Sequence, residues 1–353
     1  MKIGLMTFLH NDNYGSILQA WALQQVLLDN GYDAVHMDYA PDKVEKVRNL
    51  VFSGNSPRLI LEGMRKKSAA GKMRGGFDAF RQENIRTTAP CRNRAALRRE
   101  AAAFDVLLCG SDQIWSPVWL NPAYFLDFSD KPKVSYAPSL GVKEMPNAYK
   151  RLKMARMVKR FSAVSVREQE GADTIRKLTG VSADVMPDPV MLLPRDKWQS
   201  IMAGNVPAGK YILCYFIGDN PAYWETVRAV VEQEQCAVYV IPRTEGARNA
   251  GYPLEEDVPP QRWLGLIGGA AHVVTDSFHG ATFSAILNTK CTIVRRYRED
   301  DPESKNSRID QLLRNLGASD LINADWAVVN ANLAARAQQA REWLANALNQ
   351  AVR

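Results

Sequence analysis

The sequence lacks the patterns of a secreted, membrane-spanning or disulfide-linked protein. No CxxC pair occurs, and the cysteines are odd in number and widely separated: Cys91, Cys109, Cys214, Cys236 and Cys291. Such usage is typical of reduced, buried thiols in a cytosolic protein. Apolar runs such as residues 211–218 reach only about eight residues, far short of the ~20 that a membrane span requires. The apolar start meets polar residues at 10–13 too early for a signal peptide, so we expect a cytoplasmic protein.

Motifs of several enzyme classes are also missing. The sequence has no HExxH and no GxSxG, and its four histidines form no i, i+4 pair, so we expect no metal site. The first strand-end loop offers only Gly15, which does not make a dinucleotide-binding GxGxxG. Residues 204–210 match GxxxxGK, but they follow a helix and precede a strand, and Tyr211 stands where a phosphate loop needs Ser or Thr. This segment is predicted to be a turn.

Positive charge is concentrated in one region. The chain carries +7 overall, while residues 41–100 hold 15 Lys+Arg against 6 Asp+Glu, so the rest of the chain is slightly acidic. This basic insertion suits either a solvated face or a contact with an anionic partner, such as phospholipid headgroups or a pyrophosphate-linked carrier. We expect no nucleic-acid partner, because zinc-finger spacing and RNP-like aromatic motifs are lacking.

Regular alternation of strands and helices indicates the fold class. The length of 353 residues favours two domains. Nine strand-like runs alternate with helix-like runs, the first of which predicts a helix over 17–31. The strand-like runs are 2–8, 32–39, 104–110, 133–138, 161–166, 210–216, 236–242, 272–276 and 291–295. This alternation predicts an α/β protein with two Rossmann-like domains, parallel sheets and a cleft between them. A proline-rich segment at 183–194 marks the predicted boundary. We therefore expect an N-terminal domain over 1–182, a C-terminal domain over 183–330 and a terminal amphipathic helix over 331–353.

Open α/β sheets bind ligands at the carboxyl ends of their strands. This rule selects the loops 9–16, 109–116, 135–141, 166–168 and 275–279. The first two hold polar side chains beside aromatic ones, which suits sugars and equally suits plain turns. The residues concerned are Asn13, Tyr14, Gly15, Ser111, Asp112 and Gln113.

His279 is the candidate for acid–base chemistry. It falls in the first turn of a predicted helix, where free N–H groups and the helix dipole favour anions and a neutral imidazole. Gly280 beside it would let a ligand approach the backbone. A histidine that merely starts a helix is the alternative at this position.

Arginines are the second kind of candidate, because a guanidinium group binds carboxylate and phosphate in two-point contacts. Arg167 follows a predicted strand directly. A basic cluster lies near the end of the second domain, and ordinary surface positions would explain its members equally well. It consists of Arg295, Arg296, Arg298, Lys305 and Arg308.

A series of segments in order resembles the polysaccharide pyruvyl transferase family. These segments are TFLHNDNYGSILQAWALQ (7–24), CGSDQIWSP (109–117), SYAPSLG (135–141), VSVREQEG (164–171), DPVMLL (188–193), VVTDSFHGATFSAIL (273–287) and NSRIDQLL (306–313). The resemblance spans roughly residues 1–320. It implies a two-domain fold similar to GT-B glycosyltransferases. It also implies phosphoenolpyruvate as donor, a sugar as acceptor and a cyclic pyruvate ketal as product, in the synthesis of a polysaccharide such as a capsule or exopolysaccharide.

The resemblance also implies roles for particular residues. The family's essential histidine falls on His279, and the arginine of its VR(E/D) segment falls on Arg167, which would bind the donor anion. Better-characterised members have Arg-Leu before the histidine, whereas this chain has Ser277-Phe278. We therefore expect Ser277 and Gly280 to contact the donor, with Arg295, Lys305 or Arg308 supplying the missing charge.

The acceptor, lipid-linked or not, would lie against the loops of the first domain. No cofactor or metal is expected, since fixed positive charge can stabilise the leaving phosphate. Two rival functions stay open at this point. One is a GT-B-like glycosyltransferase that uses a nucleotide sugar, and the other is an inert glycan-binding partner. The basic insertion adds the hypothesis of peripheral contact with the inner face of a membrane.

Overall fold

Parallel strands form two sheets in the computed structural model, which describes residues 1–54, 74–142, 145–296 and 307–353. The strands are β1 (Lys2–Met6), β2 (Asp33–His36), β3 (Val106–Cys109), β4 (Lys133–Ser135), β5 (Ala163–Val166), β6 (Asp184–Val185), β7 (Tyr211–Tyr215), β8 (Ala237–Ile241), β9 (His272–Thr275) and β10 (Cys291–Ile293). This architecture confirms the predicted α/β class with parallel sheets.

The first sheet has the order β2-β1-β3-β4-β5-β6, and every pairing is parallel. Its central strand β3 is buried along its whole length, as expected where helices cover both faces. The second sheet has the order β10-β9-β7-β8, again with parallel pairs only. When it is read from β8, the second sheet repeats the order of the first four strands of the first sheet.

Helices connect these strands. In chain order they are α1 (Tyr14–Asp29), α2 (Lys43–Ser53), α3 (Arg74–Asn84), α4 (Arg94–Ala101), α5 (Ala148–Val158), α6 (Gln169–Thr179), α7 (Arg195–Gln199), α8 (Tyr223–Glu234), α9 (Glu245–Arg248), α10 (Pro260–Gly269), α11 (Phe278–Leu287), α12 (Ser307–Leu316) and α13 (Trp326–Ala351). Short 3₁₀ helices lie at Gln113–Trp115, Pro122–Phe125 and Pro189–Leu192.

Helix α1 shows how the sequence determines a buried element. Its apolar residues surround the axis, and thirteen of its sixteen residues are buried, as expected for a core helix rather than a surface helix. It packs against the 3₁₀ helix Pro189–Leu192. The helix begins at Tyr14, three residues before the predicted start, because Asn13 caps it by accepting a hydrogen bond from the Ser16 N–H.

The described residues group into two units by backbone proximity. The first contains residues 1–54, the described part of 81–192, and Ala337–Arg353. The second contains residues 74–80 and the described part of 193–336. The change of unit therefore falls after Leu192 rather than after residue 182, because the proline-rich segment adds β6 and a 3₁₀ helix to the first unit.

The last helix is longer than predicted and contributes to the first unit. It begins at Trp326 instead of 331. Trp343 donates from Nε1 to Asp184 Oδ2 at 2.7 Å, and its ring lies 6.3 Å from that of Tyr136. Arg341 also donates to the Leu192 carbonyl. The segment predicted as a separate terminal helix thus belongs in part to the core of the first unit.

Candidate active site

The strand order places a switch point in each sheet. The connections reverse direction between β1 and β3 in the first sheet and between β7 and β9 in the second. Loops leaving the carboxyl ends of such neighbouring strands diverge and open a crevice for ligands. The loop 275–279, selected from the sequence, therefore lies at the switch point of the second sheet.

Asp276 joins the loops after β7 and β9. Its carboxylate is fully buried and accepts hydrogen bonds from the Ile217 and Gly218 N–H groups, both at 2.7 Å. The Tyr223 hydroxyl lies 3.3 Å from Oδ2 as a third donor. Residue 218 must be glycine, because a Cβ there would stand 2.9 Å from Asp276 Oδ2.

Arg296 is the fourth donor to Asp276. Its Nε donates to Oδ2 at 2.8 Å, and its Nη2 donates to the Asp276 carbonyl at 3.2 Å. These two contacts come from one edge of the guanidinium and hold it in a defined place. The side chain is about a quarter exposed, at 24%, so this fixed positive charge remains within reach of solvent. Arg296 thus stands out from the basic cluster, because its partner Asp276 immediately precedes Ser277.

His279 lies in the first turn of α11, as predicted. The helix begins at Phe278, with Ser277 as its N-cap. The imidazole is partly buried, and the Phe278 ring packs against it edge to face at 5.1 Å. The histidine is thereby oriented at a helix start that follows the carboxyl end of β9.

The two neighbours of His279 differ from their expected roles. Ser277 uses its hydroxyl oxygen to accept from the Gly280 N–H at 3.2 Å, so it caps the helix. Gly280 was expected to leave room for a ligand, but a Cβ there would stand 2.7 Å from Thr275 Oγ1. Close packing against β9 therefore explains the glycine, and its N–H is engaged within the protein.

The other predicted cations of the second unit are placed less centrally. Arg295 is about half exposed and pairs with Asp310 at 2.6 Å. Arg308 lies in the first turn of α12 and is partly buried. Lys305 and Arg298 lie outside the described residues. Donor contacts by Arg295, Lys305 and Arg308 stay predictions.

Arg243 is a cation that sequence reasoning missed. It follows β8, the edge strand beside β7, and is partly buried. Burial raises the pKa of the Tyr215 hydroxyl to about 12, against the opposing charges of Arg243 and Arg296. Both arginines thus act on the same tyrosine at the end of β7. The signal in the sequence was the position of Arg243 directly after the strand-like run 236–242.

Arg167 lies in the first unit and is almost completely buried. Its Nε donates to Glu168 at 2.9 Å and its Nη1 to Asp188 at 2.8 Å. Burial alone would lower its pKa, but Glu168, Asp188 and Asp112 raise it above the ordinary value. A guanidinium shared by these carboxylates offers less charge to a donor anion than the sequence suggested. Asp188 is a further residue that sequence reasoning did not select.

Asp112 occupies a strained backbone position at the carboxyl end of β3. Its φ of 73° and ψ of 178° fall in a region that is essentially reserved for glycine. The side chain accepts from the Gln113 N–H at 2.7 Å and from the Ser16 hydroxyl at the start of α1. Such strain at a strand end is common at functional sites.

The remaining predicted acceptor residues divide by burial. Tyr14, Gly15 and Ser111 are buried, and the Ser111 hydroxyl donates to the Ala137 carbonyl at 2.8 Å. Because these three residues are buried in this conformation, they offer no surface to a sugar. Asn13, Asp112 and Gln113 are only partly buried. The predicted acceptor surface is therefore reduced to these three side chains.

A histidine–carboxylate pair adjoins the same edge of the first sheet. His10 Nε2 contacts Asp38 Oδ1, which joins the loop after β1 to the segment after β2. His10 is exposed. The structure thus brings together two residues that lie 28 positions apart in the chain.

Neither a metal-binding cluster nor a membrane-spanning helix occurs within the described ranges. No group of three or more His, Cys, Asp or Glu side chains there could hold a metal ion. None of the helices in these ranges combines the length and apolar character needed to cross a bilayer. The expectation that the reaction needs no metal stays a prediction.

Comparison with solved structures identifies the fold. UDP-GlcNAc 2-epimerase from Neisseria meningitidis, bound to UDP-GlcNAc, has a TM-score of 0.54 at 9% identity, with 99% of each chain covered. The S. aureus MnaA–UDP structure has a TM-score of 0.53 at 10% identity, covering 100% of this chain and 91% of that one. The UDP-GlcNAc 2-epimerase from Methanocaldococcus jannaschii reaches 0.51 at 12% identity, covering 98% and 99%. At such identities the likeness concerns the GT-B-like fold alone.

Comparison with sequences identifies the family. A search of curated proteins found no match. The family model described as polysaccharide pyruvyl transferase matches residues 13–296. This range covers most of the chain and includes both His279 and Arg167. The chain therefore belongs to the polysaccharide pyruvyl transferase family.

Proposed function

We propose that this protein transfers pyruvate from phosphoenolpyruvate to a sugar of a polysaccharide or of its precursor, forming a cyclic ketal. The observation that carries the proposal is the arrangement at the switch point of the second sheet. There, Asp276 holds Arg296 in place. Asp276 lies three residues before His279, which stands at the start of α11. Family membership supports the same reaction class.

The distribution of charge favours the second unit as the donor side. Phosphoenolpyruvate carries a phosphate and a carboxylate close together, so it needs several cationic or N–H groups. The carboxyl edge of the second sheet offers Arg296, Arg243 and the first turn of α11, with one buried carboxylate among them. In the first unit, Arg167 has three carboxylates around it. We assign the donor to the edge of the second sheet and give Arg296 the role of the arginine that position 277 lacks.

The reaction then forms two C–O bonds to one carbon, the first by addition and the second by substitution. A sugar hydroxyl attacks C2 of phosphoenolpyruvate, and its proton is removed while a proton is delivered to C3, which becomes the methyl group. A second hydroxyl of the same sugar then gives up its proton and displaces phosphate from C2, which closes the ketal and releases inorganic phosphate. We assign to His279 the transfer of one of these protons, and to Arg296 the stabilisation of the phosphate as it leaves.

Phosphate release measures this reaction directly. Wild-type protein should release phosphate from phosphoenolpyruvate in the presence of a suitable glycoside from a small panel. His279→Ala should lower turnover by roughly 10²–10⁴-fold, the usual contribution of a general acid or base. Its melting temperature should stay near the wild-type value, since the imidazole is only partly buried.

His272→Gln provides a matched control. His272 stands at the amino end of β9, the opposite end of the strand from the site, and contacts Glu234 and Thr292. This variant should lose stability and keep its turnover. Near-full turnover by folded His279→Ala would remove the assignment of His279.

Thermal-shift measurements separate this donor from a nucleotide sugar. A ligand that binds only the folded state raises its stability according to its concentration and Kd. Phosphoenolpyruvate should raise the melting temperature, and Arg296→Gln should abolish that increase. Stabilisation by UDP or GDP, with no response to phosphoenolpyruvate, would favour the glycosyltransferase function instead.

The acceptor is assigned to the first unit. Asn13, Asp112 and Gln113 are partly buried polar side chains at the carboxyl edge of its sheet.

The proposal of membrane contact rests on the basic insertion, five of whose fifteen basic residues lie within 55–73, outside the described residues. Binding to anionic liposomes that weakens as salt is added would support such contact.

A further inference from the structure

A pocket lies within the described part of the basic insertion. Its volume is about 380 Å³, at the lower end of the range for small-molecule sites. The insertion supplies nearly all of the lining, and Pro122 completes it. The lining residues are Glu45, Arg48, Asn49, Phe52, Asn93, Arg94, Ala95 and Pro122.

Glu45 is the unusual member of this lining. Its side chain is 1% exposed, and neither carboxylate oxygen accepts a hydrogen bond from the part of the chain that the structure describes. Arg48 Nη1 approaches it only to 3.7 Å. A buried carboxylate without hydrogen bonds is costly and rare in folded proteins. A pocket that holds such a group is suited to a ligand that brings hydrogen-bond donors.

The charges around the pocket restrict the class of ligand. A phosphate or carboxylate ligand would be repelled by Glu45, and a cationic ligand would be repelled by Arg48 and Arg94. A neutral polyol can donate to Glu45 and accept from the arginines at the same time. Asn49 and Asn93 add amide groups, and Phe52 adds an aromatic wall. This combination of polar groups and an aromatic ring suits a sugar residue.

Three polar residues of the lining are already held in place. Asn49 Nδ2 donates to the Tyr39 hydroxyl at 2.8 Å, and Asn93 accepts from the Ala96 N–H at 3.0 Å as the N-cap of α4. Arg94 donates to Asp127 at 2.7 Å. The polar lining is thus preorganised, which lowers the entropy lost on binding.

We propose that this pocket is a subsite for a neutral sugar residue of the acceptor glycan, with Glu45 accepting hydrogen bonds from its hydroxyl groups. The proposal rests on the proposed function, since it takes the acceptor to be a glycan. It gives the insertion a role in acceptor recognition that is separate from its net charge.

Saturation-transfer NMR with the full chain and neutral methyl glycosides tests the subsite without any donor. Glu45→Gln keeps the shape of the side chain and removes its charge. This variant should weaken glycoside binding by about tenfold or more, because a hydrogen bond to a charged group is lost. Its melting temperature should equal or exceed that of wild type, because an unsatisfied buried charge is removed. Glu83→Gln, at an exposed position of α3 in the same insertion, should leave binding unchanged.

A second variant acts through volume. Ala95 is exposed and lines the pocket, so Ala95→Leu should fold normally and block binding to a similar extent. The proposal is overturned if wild type binds no neutral glycoside or if Ala95→Leu binds as wild type does. It is also overturned if Glu45→Gln retains its affinity. Because phosphoenolpyruvate is absent, these outcomes are independent of phosphate release and of the thermal shift, which test the proposed function.

Discussion

Replacing Asp276 with asparagine removes a charge that four donors share. The carboxylate accepts from the Ile217 and Gly218 N–H groups, from the Tyr223 hydroxyl and from Arg296. Asparagine keeps one oxygen and presents an NH₂ group to donors on the other side. Arg296 then loses its ion pair with Asp276, and at least one of the two N–H groups faces another donor.

The expected loss of stability follows from this arrangement. Removing one partner of a buried ion pair costs about 3–5 kcal/mol, and we expect Asp276→Asn to fall in this range. Arg296→Met should cost about 1–3 kcal/mol, because Asp276 keeps three donors and Arg296 is partly exposed. Urea unfolding of both variants measures these losses, with fluorescence and circular dichroism followed together to detect separate transitions of the two units.

The double variant examines whether the two losses share a cause. Asp276→Asn combined with Arg296→Met should cost less than the sum of the single changes, because the ion pair is removed only once. A cost below about 1 kcal/mol for Asp276→Asn would refute the view that this carboxylate organises the switch point. Strictly additive losses would refute the direct coupling of the pair.

Three further predictions concern individual positions. Burial lowers the pKa of His36 from 6.5 to about 4. Because the folded protein binds this proton less readily than the unfolded chain, the free energy of unfolding should be highest above pH 6.5 and should fall by about 3 kcal/mol as the pH drops from 7 to 4. Urea unfolding of His36→Asn should lack this loss. Gly280→Ala should lower the free energy of unfolding by about 1–3 kcal/mol, because its Cβ would press on Thr275. The melting temperature should fall accordingly, and an unchanged value would contradict this packing. Asp112→Gly should be about 1 kcal/mol more stable than Asp112→Ala in chemical denaturation. Both variants lose the carboxylate, but only glycine adopts this backbone conformation without strain. The reverse order of stability would argue against backbone strain at Asp112.

The fold was largely predictable from local patterns. Apolar runs and helix-like runs alternate along the chain, and nine strands were expected at positions where the structure has strands. The missed strand is β6, which has two residues within a proline-rich segment and pairs only at the edge of the sheet. Helix starts were less predictable, because capping by Asn13 and Ser277 depends on a single side-chain contact each.

The site was predictable in position but only partly in composition. A histidine after a strand end and before a helix is visible in the sequence, and His279 lies there. The partners of a buried charge are not visible, because they come from distant segments. Arg167 meets Asp188, twenty-one residues later, and Asp276 meets Ile217 and Gly218, almost sixty residues earlier. Which arginine stays near solvent is decided by such pairings.

The return of residues Ala337–Arg353 to the first unit has a consequence for synthesis on the ribosome. Domains generally fold as units, with the N-terminal one first as the chain emerges. Here the first unit needs Trp343 and Arg341 to complete its contacts with Asp184 and Leu192, and these two residues are translated after the whole second unit, which ends at Arg336. The later-encoded unit can therefore fold before the earlier one is complete, so nascent chains stalled near residue 336 should expose apolar surface around Tyr136 that chaperones can bind.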